Sequence, residues 1–356
     1  MRLRVIIVAI VGGIMTMLMQ PSVAPAAHVQ CGEVITHSTV LDNDLLGCPG
    51  DGIVIGSSDI TLDLNGHTIE GDGTGIDVGI KNGDFAARNA YSDVTIRGGS
   101  IRQFDIGLRL DGAHRNILRE LNISTALDAP DGTGVDLSAS SENRIEDVSI
   151  SSNRTGISLL GSDANRIRRN FATANGRGID VEGARNDVEK NIANGNFGVG
   201  ISLTEGTSNS VKGNVASDNG ASGRFSAGIV VERSSADEVI RNFTSGNSVG
   251  ILLSEAVGVR VVGNRVSRAD EDGIRVDPNS DDTVLRRNTS DRNGDDGIDI
   301  ESPGTTVTQN SANSNFDFGI EAIAGVIDGG GNSASGNGNP EQCLNVACGS
   351  GRRPRG

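Results

Sequence analysis

Between residues 75 and 323 the chain repeats one short pattern of apolar and polar positions. A Gly followed by an apolar residue stands at Gly75, Gly107, Gly134, Gly156, Gly178, Gly200, Gly228, Gly250, Gly273, Gly297 and Gly319, and most intervals are 22 to 24 residues. Each Gly opens an alternating segment such as Gly178-Ile179-Asp180-Val181. A period of two predicts a short strand with one face buried.

A second mark runs through the same repeats. Asn170, Asn191, Asn214, Asn242, Asn264, Asn288 and Asn310 precede the Gly positions, with an apolar residue three places earlier (Ile167, Val188, Val211, Val239, Val261, Leu285, Val307). Two places later the residue is small or β-branched, as in Ala172, Ala193 and Thr244. In earlier repeats Val148 and Leu121 replace the Asn within the same frame. A unit this short cannot bury its apolar positions alone, so copies must stack, each strand about 4.8 Å from its equivalent. Stacked Asn amides both donate and accept, which predicts a self-satisfying ladder at a turn. On this reading the N-x-S/T matches at Asn122, Asn153, Asn242 and Asn288 are not glycan sites, Asn242 and Asn288 being ladder members.

Composition agrees with a narrow interior. Of 356 residues, 50 are Gly, 8 Phe, one Tyr and none Trp, so the core must be filled by small branched side chains. Length then counts coils rather than domains. The formal charge of −15 lacks the clustered cations that phosphate neutralisation needs, which argues against a nucleic-acid partner.

The chain ends carry other signals. Met1 to Ala26 reads as a signal peptide, with Arg2 and Arg4, an apolar run and Ala24-Pro25-Ala26. Its removal would move the charge to −17, since it holds two Arg and no acid. A secreted or cell-envelope protein is expected, with no membrane span after cleavage. Cys31, Cys48, Cys343 and Cys348 sit at the two extremes. Local pairing, Cys31 to Cys48 and Cys343 to Cys348, is the favoured one of three connectivities. The alternative is a metal site, against which stand the missing C-x₂-C spacing and the lack of a nearby His.

The repeated N-x-[VI]-x-x-N-x-[AVT]…G-I-x-[LV] frame over about Ile53 to Ile323, opened by Cys48-Pro49-Gly50-Asp51-Gly52-Ile53 and Leu62-Asp63-Leu64-Asn65-Gly66, resembles the right-handed parallel β-helix proteins of the pectate-lyase-like superfamily. The resemblance implies an all-β, single-domain right-handed parallel β-helix of about twelve coils. The organisation is then a signal peptide (1–26), a disulfide-linked cap (27–52), the solenoid (53–327) and a C-terminal cap and tail (328–356). That superfamily includes lyases, hydrolases, epimerases, copper-maturation proteins and proteins without known chemistry, so the fold does not choose an activity.

Outward positions of the Gly-initiated strands form two columns. One runs Asp77, Arg109, Asp136, Ser158, Asp180, Ser202, Val230, Leu252, Arg275, Asp299, Glu321, and the other Gly79, Asp111, Ser138, Leu160, Glu182, Thr204, Glu232, Ser254, Asp277, Glu301, Ile323. Acids 4.8 Å apart raise one another's pKa unless a cation intervenes. Two clusters result. The N-terminal one, Asp77, Arg109, Asp111 and Asp136, is flanked by two insertions, 81–92 with Arg88 and Tyr91, and 126–132. It is expected to be the walled site, with Asp111 and Asp136 as acid and base, Arg109 on a uronate carboxylate, and Arg88, Tyr91, Asp180 and Glu182 binding substrate. The C-terminal cluster combines Arg275, Asp277, Asp299, Glu301 and Glu321 without insertions. An acidic polysaccharide is the expected partner of a monomer. No cofactor is named by the residues, and calcium is the candidate cation. A non-catalytic surface or binding repeat protein stays open beside the enzyme, because acids also keep an edge-rich solenoid soluble. Copper maturation finds thin support, with all four Met in the signal region and His28, His67 and His114 dispersed.

Overall fold

The computed structural model describes residues 26–83, 89–125, 132–220 and 226–350. Residues 1–25 of the expected signal segment, Arg88, and residues 126–131 of the second insertion lie outside the described residues. The chain is a right-handed parallel β-helix, and no helix occurs among the described residues. Thirteen parallel strands stack into a front sheet that runs from Glu33–Ile35 through Ile106–Asp111, Thr133–Ser138 and Ile274–Val276 to Ile320–Ala322. Two further ladders close each coil, exemplified by Arg166–Arg168 and Phe171–Thr173, and join through the long strands Thr95–Arg102 and Ile117–Ser124. Parallel pairing already begins at Ala26–Ala27 and continues to Cys348–Ser350, so the stack extends into both terminal segments.

The interior follows from the apolar frame. Ile167, Val188, Val211, Val239, Val261, Leu285 and Val307 are fully buried, one above another. Each Gly of the front sheet sits where a side chain has no room: a Cβ on Gly178 would run into the Gly200 carbonyl oxygen and the Asn196 amide of the next coil. In the first repeat the structure corrects the register. Leu108 pairs with Ile80 and Arg109 with Lys81, so Gly79, not Gly75, is the residue stacked on Gly107. A 32-residue first interval hides this shift.

The Asn ladder forms and is one of several. In it Asn191 Nδ2 donates to Asn214 Oδ1 at 3.1 Å and to the Ile167 carbonyl at 2.9 Å, while its backbone N–H donates to the same Asn214 oxygen at 2.8 Å. Parallel ladders run from Asn143 through Asn165 and Asn186 to Asn209, and from Asn153 through Asn175 to Asn247. Asn153, Asn242 and Asn288 are buried, whereas Asn122 is exposed and outside these ladders. Both ends are stapled by disulfides, Cys31–Cys48 and Cys343–Cys348. Two disulfides mark an extracytoplasmic protein.

Candidate functional site

The front sheet aligns its outward residues as two columns, because successive strands from Ile106–Asp111 onward stay in register at these positions, the one shift falling after Glu182: Arg109 with Asp136, Asp136 with Ser158, Ser158 with Asp180, and later Leu252 with Arg275, Arg275 with Asp299, Asp299 with Glu321. Asp77 is the exception. The position expected for it belongs to Lys81, and Asp77 lies just before strand Val78–Asn82. There burial, and then the carboxylates of Asp51, Asp72 and Asp105, raise its pKa.

In the N-terminal cluster Arg109 Nε donates to Asp136 Oδ2 at 2.9 Å, with Asp136 mostly buried. These two residues, with Ser138, Ser158, Asp180 and Glu182, line a groove of about 300 Å³. Arg177 Nη1 meets Asp180 at 2.9 Å, and burial, then Glu205 and Asp180, raise the Glu182 pKa. Asp111 pairs in register with Ser138 on the second column. Tyr91 is elsewhere: it lines a separate hollow of about 230 Å³ with Val34, Asp51 and Lys81, and its backbone is held by Asn82. The structure therefore brings Arg109, Asp136, Asp180 and Glu182 together and leaves Asp77 and Tyr91 apart from them.

The C-terminal cluster is the more strongly perturbed. Asp272, buried at 2% side-chain exposure, accepts Arg275 Nε at 2.7 Å through Oδ2 and the Asp296 backbone N–H at 3.0 Å through Oδ1. Arg275 also reaches Glu271 at 3.0 Å and Asp299 at 3.8 Å. Asp296 in turn accepts the Phe318 N–H at 2.7 Å. Its pKa is pushed up to about 8, first by burial and then by the hydrogen bond it shares with Glu321. Asp299 is pushed up to about 7, by burial and then by the Asp272 and Glu301 carboxylates, with Arg275 opposing. Acceptor oxygens of Asp296, Asp299 and Glu321 lie within 4.8 Å of one another, as do those of Asp295, Asp296 and Asp317. Such oxygen-only sets suit a hard cation, calcium above all.

Asp272 and Asp296 stand outside both columns that the sequence pattern predicts. A signal for them is present in the chain: the residue before the strand Gly is Thr133, Thr155, Arg177, Val199, Ala227 or Val249 in successive coils, and turns acidic only at Asp272 and Asp296. Between the two clusters the column becomes apolar at Val230 and Leu252, both buried against Val199, Ala227 and Val249. They floor a groove of about 430 Å³ that shares Thr204 with the N-terminal groove and ends at Leu252, whose neighbour on the next coil is Arg275.

Comparison with known proteins bears on the fold. The model of a right-handed β-helix region matches residues 224–337, and that of a periplasmic copper-binding protein, NosD, matches residues 92–226. The A-module of a mannuronan C-5 epimerase from Azotobacter vinelandii superposes with a TM-score of 0.52 at 16% identity, covering 92% of this chain and 90% of that one. The chain has the fold of a right-handed parallel β-helix. Among further solved structures, a single-substitution mutant of a periplasmic alginate epimerase superposes with a TM-score of 0.47 at 14% identity over 91% of this chain and 77% of its own. A DFA-IIIase from Arthrobacter chlorophenolicus A6 gives 0.45 at 13% over 66% of each. No curated protein matches the chain. Among the described residues the donors do not gather for copper: His28 and His67 bond Asp42 and Asp44, His114 accepts the Ser141 N–H, exposed His37 belongs to no grouped set, every cysteine is in a disulfide, and the grouped candidate ligands are carboxylates.

Proposed function

We propose that the protein is exported and that its front face binds and processes an acidic polysaccharide, a polyuronate being the class that fits. The observation that carries this reading is Arg275 beside Asp299, whose carboxyl holds its proton to about pH 7, with the Asp296 carboxyl, pushed up to about 8, within reach of the same acid group. A carboxyl poised there can accept a proton from the carbon beside a uronate carboxylate or deliver one to a glycosidic oxygen. Arg275 would take part of the uronate charge, and the trough leading through Leu252 and Val230 to Arg109 would hold the flanking sugars. Asp136 is committed to Arg109 by a direct ion pair, which supports a binding role for the N-terminal cluster, with Asp180, Glu182 and Asp111 beside it. The two clusters thus exchange rank relative to the expectation from insertions.

A non-catalytic binding protein is the second reading, favoured by the Arg–acid pairs along the face: Arg109–Asp136, Arg177–Asp180 and Arg233–Glu205. Assays of purified protein against a panel of uronate polymers, with Asp299→Asn and Asp136→Asn beside wild type, separate the two. Turnover lost in Asp299→Asn and weaker binding in Asp136→Asn support the enzyme. Binding without turnover supports the second reading, and neither sinks both.

A further inference from the structure

The corner between the second and third ladders carries a surface unlike the rest of this acidic molecule. One outward column there runs Phe171, Ile192, Val215, Phe243 and Arg265 on five consecutive coils, each paired in register with the next. Phe171 is 50% and Phe243 37% exposed, and Ile192 and Val215 are half-buried between them. The column is therefore a straight apolar strip one side chain wide, about 14 Å from the first Phe to the second at one rung per coil.

Where the strip ends, cations gather. Arg241, Arg265, Arg268, Arg286, Arg287 and Arg292 are all exposed on three consecutive coils, and none of them forms an ion pair among the described residues. Arg287 donates to Gln309 at 2.9 Å. Arg268 and Arg292 occupy equivalent left-handed turn positions one coil apart, at φ of 55° and 61°, so their charges are stacked. The N-terminal half of the same corner differs: Arg169 pairs with Asp147, and Arg168 and Lys190 both pair with Glu189. Six cations without an acidic partner on three coils, two of them one rung apart, repel one another, and a polyanion laid over them removes that repulsion.

We propose that this corner, together with the third ladder up to Arg268 and Arg292 at its other end, is a second carbohydrate-binding surface, which anchors a linear anionic polysaccharide beside the front face. Sugar rings pack their apolar faces on Phe243 and Phe171, and carboxylates of the same chain take bidentate hydrogen bonds from Arg265, Arg268 and Arg292. The ligand class rests on the proposed function, while the surface stands on its own residues. A polymer is favoured over an anionic membrane by shape and by charge. The apolar strip is flush and narrow, and Asp147, Glu146 and Glu189 beside its first half would be pressed against a charged bilayer, whereas a single chain can follow the strip to the arginines alone. Holding one polymer at two surfaces would raise its effective concentration at the front trough.

Co-sedimentation of the full chain with polygalacturonate and with alginate gels at graded salt, alongside phosphatidylglycerol vesicles, tests this. The triple variant Arg265→Ser, Arg268→Ser, Arg292→Ser should lose about tenfold or more in affinity for polymer and show a shallower salt dependence. Phe243→Ser should weaken binding with the salt dependence kept. The triple variant should act on short oligouronates as wild type, so that failure of the front-face reading and failure of the ridge are told apart. A triple variant that binds polymer as wild type does, at unchanged melting temperature, overturns the inference. Binding of vesicles without binding of either polymer overturns it as well.

Discussion

Asp272 accepts the backbone N–H of Asp296 at 3.0 Å, one coil further along, while its other oxygen holds Arg275. A single buried carboxylate thus fixes the cation of the site and the backbone from which the next acid projects. Removing it strands a half-buried guanidinium. Asp272→Ala is expected to cost about 2 kcal/mol, below the full penalty for a buried pair because Arg275 keeps partial exposure and its Glu271 contact. Urea denaturation of the purified variant measures this, and a loss under about half a kcal/mol would deny Asp272 its organising role.

The pH dependence of stability follows from the raised carboxyls. The unfolded chain gives up these protons near the ordinary value of 3.8, whereas the folded chain keeps them to about 7 at Asp299 and about 8 at Asp296. Over that window the folded state binds more protons, so the stability they contribute is full below about pH 4 and is lost as pH rises through 7 and 8. Melting temperature should fall between pH 6 and pH 9, and the double variant Asp296→Asn, Asp299→Asn should flatten the curve. An equally steep fall in that variant would place the titration elsewhere.

A cation can take the place of those protons. Calcium added at pH 8 should raise the melting temperature of wild type and leave Asp296→Asn, Glu321→Gln unmoved, because the oxygen set of Asp296, Asp299 and Glu321 is then incomplete. At pH 5 protons compete and the increase should shrink. Equal increases in wild type and variant would assign calcium to another part of the molecule.

The ladders make a separate prediction about the scaffold. Asn214 donates through Nδ2 to Asn242 and to the Val188 carbonyl, and its Oδ1 receives two bonds from Asn191. Asn214→Ala leaves those buried groups without partners and should cost about 1–3 kcal/mol, whereas Asn122→Ala, at an exposed site, should cost almost nothing. Thermal melts of the two variants decide it.

Much of this is legible in the chain. The alternation after each Gly and the Asn frame lead to the coil, the buried Ile and Val column and the right register from Arg109 to Glu321. Legibility fails at two kinds of position. Asp77 is misplaced because a Gly-rich turn supplies Gly75 and Gly79 four residues apart, and only pairing with Ile106–Asp111 chooses between them. Asp272 and Asp296 escape because alternation marks residues after the Gly as inward or outward and is silent about the residue before it, whose side chain leans over the same face. Insertions suggest where walls stand, but proton affinity depends on burial and neighbouring charge, and these arise only when coils are stacked.

The claim that the front face performs acid–base chemistry on a uronate is most directly tested by incubating polyuronates with the protein in D₂O and following both deuterium incorporation and chain cleavage by mass spectrometry. Wild type should introduce deuterium or cleave at least one polymer, with the activity following the ionisation of a group near pH 7, and Asp299→Asn should do neither. Polymers recovered unlabelled and uncut from wild type, or labelled equally by Asp299→Asn, would contradict it.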